Sequence, residues 1–266
     1  MKRKASLGLG LAGCLLLTGC FDVEQSLVLQ KDLSGKAGFS MKVDLEPMVY
    51  MMLMMQRSME GKEGEPTAAE LDKAKQDFLA NAKTSESKPD PEKEKAELAK
   101  NLPPGVKLLD SSFQDQGLKM LAAFTLGFDN VNKLKQVKLS EPKPAAEAQP
   151  GPPAPENPFD TPFGDLEITE QGNTILLTTK PKNPLEEQKQ EMGGEGKVSP
   201  EMEKQLEQAF KGLRIAWKIE APFQVLESNA HRKEGNTLIW EYTLDSLKKM
   251  DPKQAAEGIR VKYKKS

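Results

Sequence analysis

The sequence predicts an α+β fold in which antiparallel β-hairpins form a curved sheet with helices packed on one face. Two observations lead there. Period-two alternation of apolar residues recurs in pairs of segments joined by short turns, the mark of hairpins with one buried face. Helical segments with recognisable starts and stops fall between these pairs rather than after each strand, which argues against a parallel strand–helix–strand sheet. Hydrophobic residues make up 37% and charged residues 29% of the 266, so the chain can bury a core and still carry a solvated surface.

The N-terminus reads differently from the rest. "MKRK" is a positive start and "ASLGLGLAGCLLLTG" an apolar run ending in small residues, the layout of an export signal. The run is too short for a permanent membrane helix, which needs about 20 apolar residues. Both cysteines of the chain, Cys14 and Cys20, follow an aliphatic residue at −3 and a small residue at −1. This pattern resembles the lipobox of bacterial lipoproteins, in which the cysteine sulfur receives a diacylglyceryl group and cleavage follows just before it. Cys20 is the better candidate. It uses the whole apolar run and is followed at once by polar "FDVEQS", whereas a stop at Cys14 would leave "LLL" at the start of the mature chain. Residues 1–19 are therefore expected as a signal peptide, and 20–266 as one domain with flexible insertions near 62–100 and 140–160. By the same resemblance, Phe21 rather than Asp after the lipidated cysteine favours the outer membrane over the inner one. Removing 1–19 takes away Lys2, Arg3 and Lys4 and no acid, so the mature chain is more acidic than the formal −2 of the whole. That balance, with no basic stripe interleaved with aromatics, does not favour nucleic acid.

The elements follow in order. "DVEQSLVLQ" and "AGFSMKVDL" alternate on either side of the turn "KDLSGK" and form a first hairpin. "EPMVYMMLMMQRSMEG" is a helix with Pro47 near its start and Gly61 after its end. "TAAELDKAKQDFLANA" is a second helix with few apolar positions, and "SESKPDPEKEK" a solvated linker. "VKLLDSSF" and "LKMLAAFTLGF" make a second hairpin, and "DNVNKLKQV" a short helix capped by Asp129 or Asn130. The Pro/Ala-rich 140–158 stretch cannot bury a core. "FGDLEITE" and "TILLTTK" give a third hairpin. "SPEMEKQLEQAFKG" is a helix with Ser199 as cap and Gly212 as stop. "LRIAWKIE" is a strand, and "APFQVLES" runs into a fourth hairpin, "NAHRKEGNTLIWEYTL". "DSLKKM" is a helical turn capped by Asp245. "GIRVKYKK" ends the chain as a strand, read as a charged edge.

The lipobox, the early "DVEQSLVLQKDLSGKAGFSMKVDL" and the late "APFQVLESNAHRKEGNTLIWEYTLDSL" resemble the LppM-domain family of bacterial lipoproteins. The late segment carries the family's Asn-Ala pair, Gly-Asn turn and Trp-containing strand as Asn229-Ala230, Gly235-Asn236 and Trp240. The resemblance covers about half the chain. It implies a sheet-and-helix domain likened to lipid-binding proteins. The chain departs from the pattern in its insertions at 62–100 and 140–158 and in having no C-terminal transmembrane helix.

Chemistry is hard to find. With Cys20 acylated the mature chain holds no free thiol, and His231 is its one histidine, so metal sites built on several His or Cys have no ligands. No "GxSxG" elbow, "GxxxxGK" or "GxGxxG" occurs. No cofactor and no catalytic residue are expected. The unusual segment is the first helix, where Met48, Met51, Met52, Met55 and Met59 recur at i, i+3, i+4, i+7 and i+11 on one face. Such a stripe packs on the sheet, forms an adaptable wall for an acyl chain or a partner's apolar face, or binds Cu(I) through thioethers. The expectation is a non-enzymatic, membrane-anchored envelope lipoprotein that binds a lipid or other hydrophobic ligand. The alternative is a structural lipoprotein that tethers an envelope protein partner.

Overall fold

The computed structural model describes residues 21–62, 64–84, 91–139, 161–180, 207 and 210–265. The first hairpin is β1 (Phe21–Leu29) and β2 (Gly35–Asp44), followed by α1 (Glu46–Met59), α2 (Ala68–Thr84) and α3 (Pro91–Lys100). Next come β3 (Val106–Asp115), β4 (Lys119–Phe128) and a 3-10 helix (Val131–Gln136). Then follow β5 (Glu167–Gln171), β6 (Thr174–Thr179), β7 (Arg214–Glu220), β8 (Gln224–Ser228), β9 (Arg232–Glu234) and β10 (Thr237–Thr243). The chain closes through α4 (Leu244–Lys248), α5 (Pro252–Glu257) and β11 (Ile259–Lys264). The α+β class is as expected.

The strands divide between two sheets. The larger has the order β3-β4-β2-β1-β7-β10-β9, and the smaller β5-β6-β11-β8. All pairings are antiparallel except that of β1 with β7. Alternation places Val23, Leu27 and Leu29 of β1 on the same face as Ile215, Trp217 and Ile219 of β7. Ile175 and Leu177 of β6 and Ile259, Val261 and Tyr263 of β11 belong to the same buried cluster. The covering layer over the large sheet's apolar face is thus the small sheet. Val131 and Leu134 of the 3-10 helix belong to that cluster, Leu98 of α3 and Leu244 and Leu247 of α4 pack against it, and α1 lies against α2.

This arrangement explains where local reading misled. "GIRVKYKK" is not an edge: β11 lies between β6 and β8, because Ile259, Val261 and Tyr263 supply an apolar face that an edge position would leave half covered. "APFQVLES" does not feed the fourth hairpin but crosses to the small sheet as β8, pairing with β11. The cap of α4 is Thr243 rather than Asp245. Its hydroxyl accepts from the Ser246 N–H while the Ser246 hydroxyl accepts from the Thr243 N–H, a reciprocal capping box. The 3-10 helix is capped by Asn130, whose side chain accepts from the Asn132 N–H at 2.9 Å. The expected insertion at 62–100 carries α2 and α3; Thr67 and Glu70 cap α2 reciprocally, the Thr67 N–H donating to Glu70 at 2.8 Å. Most of the expected 199–212 helix, the 140–160 stretch and part of the "SESKPDPEKEK" linker lie outside the described residues.

Two features tie the layers together. Gln25 on the buried face of β1 donates to the Pro162 carbonyl at 2.7 Å, and Phe163 packs edge-on against Trp217 with ring centroids 6.1 Å apart. Asn229, between β8 and β9, bonds to both sheets: its Oδ1 accepts from the Trp240 indole N–H and from the Arg260 N–H, both at 2.9 Å. Its Nδ2 donates to the Gly258 carbonyl at 2.7 Å.

Candidate functional site

The methionine helix sits at one end of the large sheet. There β1 begins at Phe21, β2 ends at Asp44, the β3–β4 turn passes through Gly117, β7 begins at Arg214 and β10 ends at Thr243. The chain leaves β2 at this end, with the Leu45 N–H donating to the Leu118 carbonyl at 2.7 Å, and enters α1 directly. Val43, Val49 and Leu118 are buried here yet stand outside the main core cluster.

The face α1 turns to α2 is defined by ion pairs. Glu46 pairs with Lys75 at 3.0 Å and Arg57 with Glu70 at 2.6 Å. Glu46, Val49, Leu53 and Arg57 recur at i, i+3, i+7 and i+11 and make this one face. The methionine stripe is the same pattern moved on by two residues, a rotation of about 200°. It therefore lies on the side of α1 opposite α2.

What the stripe meets changes along the helix. Met51 packs against the main core, Met48 and Met55 are half-buried, Met52 is 53% exposed and Met59 82% exposed. The structure thus brings the five methionines onto one face, as the spacing predicts, but does not bury that face. Tightly packed interiors fill with Leu, Ile and Phe, whereas exposed methionine is an adaptable apolar surface. Cys20 lies outside the described residues; its neighbour Phe21 is paired with Val43 in β1 and stacked on Phe210 with centroids 5.5 Å apart.

The other face of the large sheet is polar. Arg214 pairs with Asp22 at 2.7 Å, Glu24 at 3.2 Å and Glu241 at 3.3 Å, and Lys218 with Glu24 at 2.7 Å. Burial alone would push the Glu24 carboxyl up, but Lys218 and Arg214 outweigh it and hold it below the ordinary carboxylate value. Burial would likewise lower Arg214, and Asp22, Glu24 and Glu241 together raise it instead. Beside this network Ser26, Ser40, Ser112 and Thr125 line a shallow depression of about 180 Å³ floored by Gly38. None of these residues was legible as a site, because a solvated strand face shows the same alternation whether or not its polar residues meet.

His231 is held structurally. Its Nδ1 lies within hydrogen-bond distance of both the Glu241 carbonyl oxygen, at 2.9 Å, and the Glu241 N–H, at 3.0 Å, and its ring packs edge-on against Tyr242 with centroids 5.0 Å apart. Among the described residues no group of three His, Cys, Asp or Glu converges as metal ligands, and no helix is long and apolar enough to cross a membrane.

No family model matches the chain, and no curated protein matches it. Among solved structures, the folded domain of LppM from Mycobacterium tuberculosis, determined by NMR, is similar over 92% of this chain and 90% of that one. The two are 11% identical and superpose with a TM-score of 0.42.

Proposed function

We propose that the chain is a non-enzymatic lipoprotein of the bacterial cell envelope, acylated on Cys20, whose domain makes apolar contact with a lipid or other hydrophobic ligand through the α1 methionines. The observation that carries this reading is the half-open stripe itself. Met52 and Met59 keep large apolar side chains in solvent on a helix whose opposite face is satisfied by α2, and a stable fold gains nothing from that exposure. The lipobox supplies the second support. An anchored protein works at a membrane, where apolar ligands are concentrated, and the polar face of the large sheet stays free for water or an envelope partner.

The test is fractionation of the full chain in a Gram-negative host, wild type against Cys20→Ala. The anchored reading expects the wild type in the membrane fraction carrying metabolically incorporated palmitate, and the variant without that label. A wild type that takes up no palmitate, or a Cys20→Ala variant that takes up as much, contradicts it. A stripe that instead docks an envelope protein would show as a cross-linked protein partner at position 59 and no co-purifying lipid.

A further inference from the structure

We infer that the occupant of the exposed end of the methionine stripe is the bilayer to which the chain is anchored: α1 lies at the lipid headgroup level and inserts Met52 and Met59 into it. This deepens the preceding proposal and rests on acylation of Cys20.

The argument is one of reach. Cys20 immediately precedes β1, so no linker separates the acylated residue from folded structure. Phe21 is fixed by its pairing with Val43 and its stacking on Phe210, so the first residue after the anchor cannot swing the domain away. Directly paired strand residues lie about 5 Å apart. From Val43 to Glu46 is three residues, about 10 Å of extended chain. The start of α1 is thus within about 15 Å of Phe21, the residue after the anchor, and its 14 residues span about 21 Å. A diacylglyceryl group requires its cysteine to sit at the headgroups, which brings this end of the large sheet to the membrane surface with it.

The helix pair springs from that same end. Glu46 and Lys75 meet close to where β2 stops, and Leu79 of α2 lies against Gly117 in the β3–β4 turn. Arg57 and Glu70 meet about three turns further along α1. Along the stripe Met51 lies against the core, Met52 is 53% exposed, Met55 is half-buried and Met59, at the end of the helix, is 82% exposed. An interfacial helix buries its apolar face about 5–10 Å into the headgroup boundary. Unbranched methionine side chains conform to such a surface without a fixed pocket. Anchoring makes this contact intramolecular, so two exposed methionines need add little intrinsic affinity to hold the orientation.

The test uses the full acylated chain reconstituted in vesicles of phosphatidylethanolamine and phosphatidylglycerol. Met52→Cys and Met59→Cys are each labelled with an environment-sensitive fluorophore, with Leu226→Cys in β8 as the control in solvent. Both α1 labels are expected to shift to shorter wavelength and to lose most of their emission to headgroup-proximal nitroxide lipid, while the Leu226 label does neither. Water-like emission from both α1 labels on an intact anchor overturns this inference and leaves the anchored reading standing. Mass analysis of the same samples separates the two: an unacylated Cys20 overturns both. Labels shielded in cells but water-exposed in the vesicles assign the stripe to a protein partner and also overturn it.

Discussion

Trp240 donates its indole N–H to the side-chain oxygen of Asn229 at 2.9 Å, and Asn229 also bonds to the backbone of the small sheet. Asn229 also accepts from Arg260 and donates to Gly258, so its three side-chain bonds span β10 and the start of β11. Replacing it leaves a fully buried indole N–H and two backbone groups without these partners, each worth about 1 kcal/mol or more. Asn229→Ala is expected to cost about 2–4 kcal/mol in urea unfolding. In a double-mutant cycle with Trp240→Phe the two losses should be non-additive by at least about 0.5 kcal/mol. Additive losses would show that the bond contributes nothing of its own.

The network on the polar face makes a prediction about acid. Glu24 titrates below 4.5 in the folded chain because Lys218 and Arg214 together outweigh its burial. A lowered carboxylate contributes stability that is fully present above about pH 4.5 and is lost as pH falls through the lowered value. Arg214→Met should therefore cost about 1–2 kcal/mol at neutral pH, the pairs being about a third exposed. The gap from wild type should narrow as pH falls below 4.5. Unfolding midpoints measured at several pH values check this; a gap that stays constant into acid would place the effect in packing instead.

Two glycines should respond oppositely to alanine. Gly258 holds φ at 62°, and a Cβ there would meet the Thr179 carbonyl at 2.6 Å. Backbone cannot yield, so Gly258→Ala should destabilise by about 1–3 kcal/mol or prevent folding. In Gly38→Ala the close contact of the new Cβ is with the Ser26 hydroxyl, at 2.5 Å, which can rotate away, the Ser26 Cβ and Phe124 carbonyl lying at ordinary contact distance, and a strand glycine gains from a side chain. That variant should stay within about 0.5 kcal/mol of wild type in thermal unfolding.

Burial pushes Tyr242 up to about 12, and Tyr263 upward by the same cause. For a raised phenol the stabilisation is full below pH 10 and is lost as pH rises through the folded value, so tyrosinate absorbance from these two should develop only with alkaline unfolding. Among the described residues the buried Tyr263 hydroxyl has no hydrogen-bond partner. Tyr263→Phe should accordingly be neutral or stabilising by up to about 1 kcal/mol, where a buried tyrosine with a satisfied hydroxyl would lose stability.

Much of this fold could be read from the chain. The β1–β2, β3–β4, β5–β6 and β9–β10 hairpins are local, set by alternation and by turn residues such as Gly235, and their residues are close in sequence. What escaped is long-range. Pairing of β1 with β7 joins residues about 190 positions apart, and nothing in either strand's alternation names its partner. The same holds for β11, whose charged ends suggested an edge while its apolar face belongs between two neighbours. The methionine stripe was legible as a stripe, since 3.6-residue periodicity is local. Its covering was not, because that depends on Lys75 and Glu70 docking α2 against the other side of α1. Asn229 stood out in the sequence only as part of a motif; its bonds to both sheets supply the physical reason for it.

The account as a whole depends on what happens at Cys20, where the proposed export signal would end and the first strand begins. Mass spectrometry of the mature chain purified from membranes tests it most directly. The expected N-terminal residue is Cys20 carrying a diacylglyceryl group on sulfur, with Phe21 next. A chain that retains Met1, or that begins elsewhere with Cys20 as a free thiol, would contradict the anchor and with it the membrane-facing role of the methionine helix.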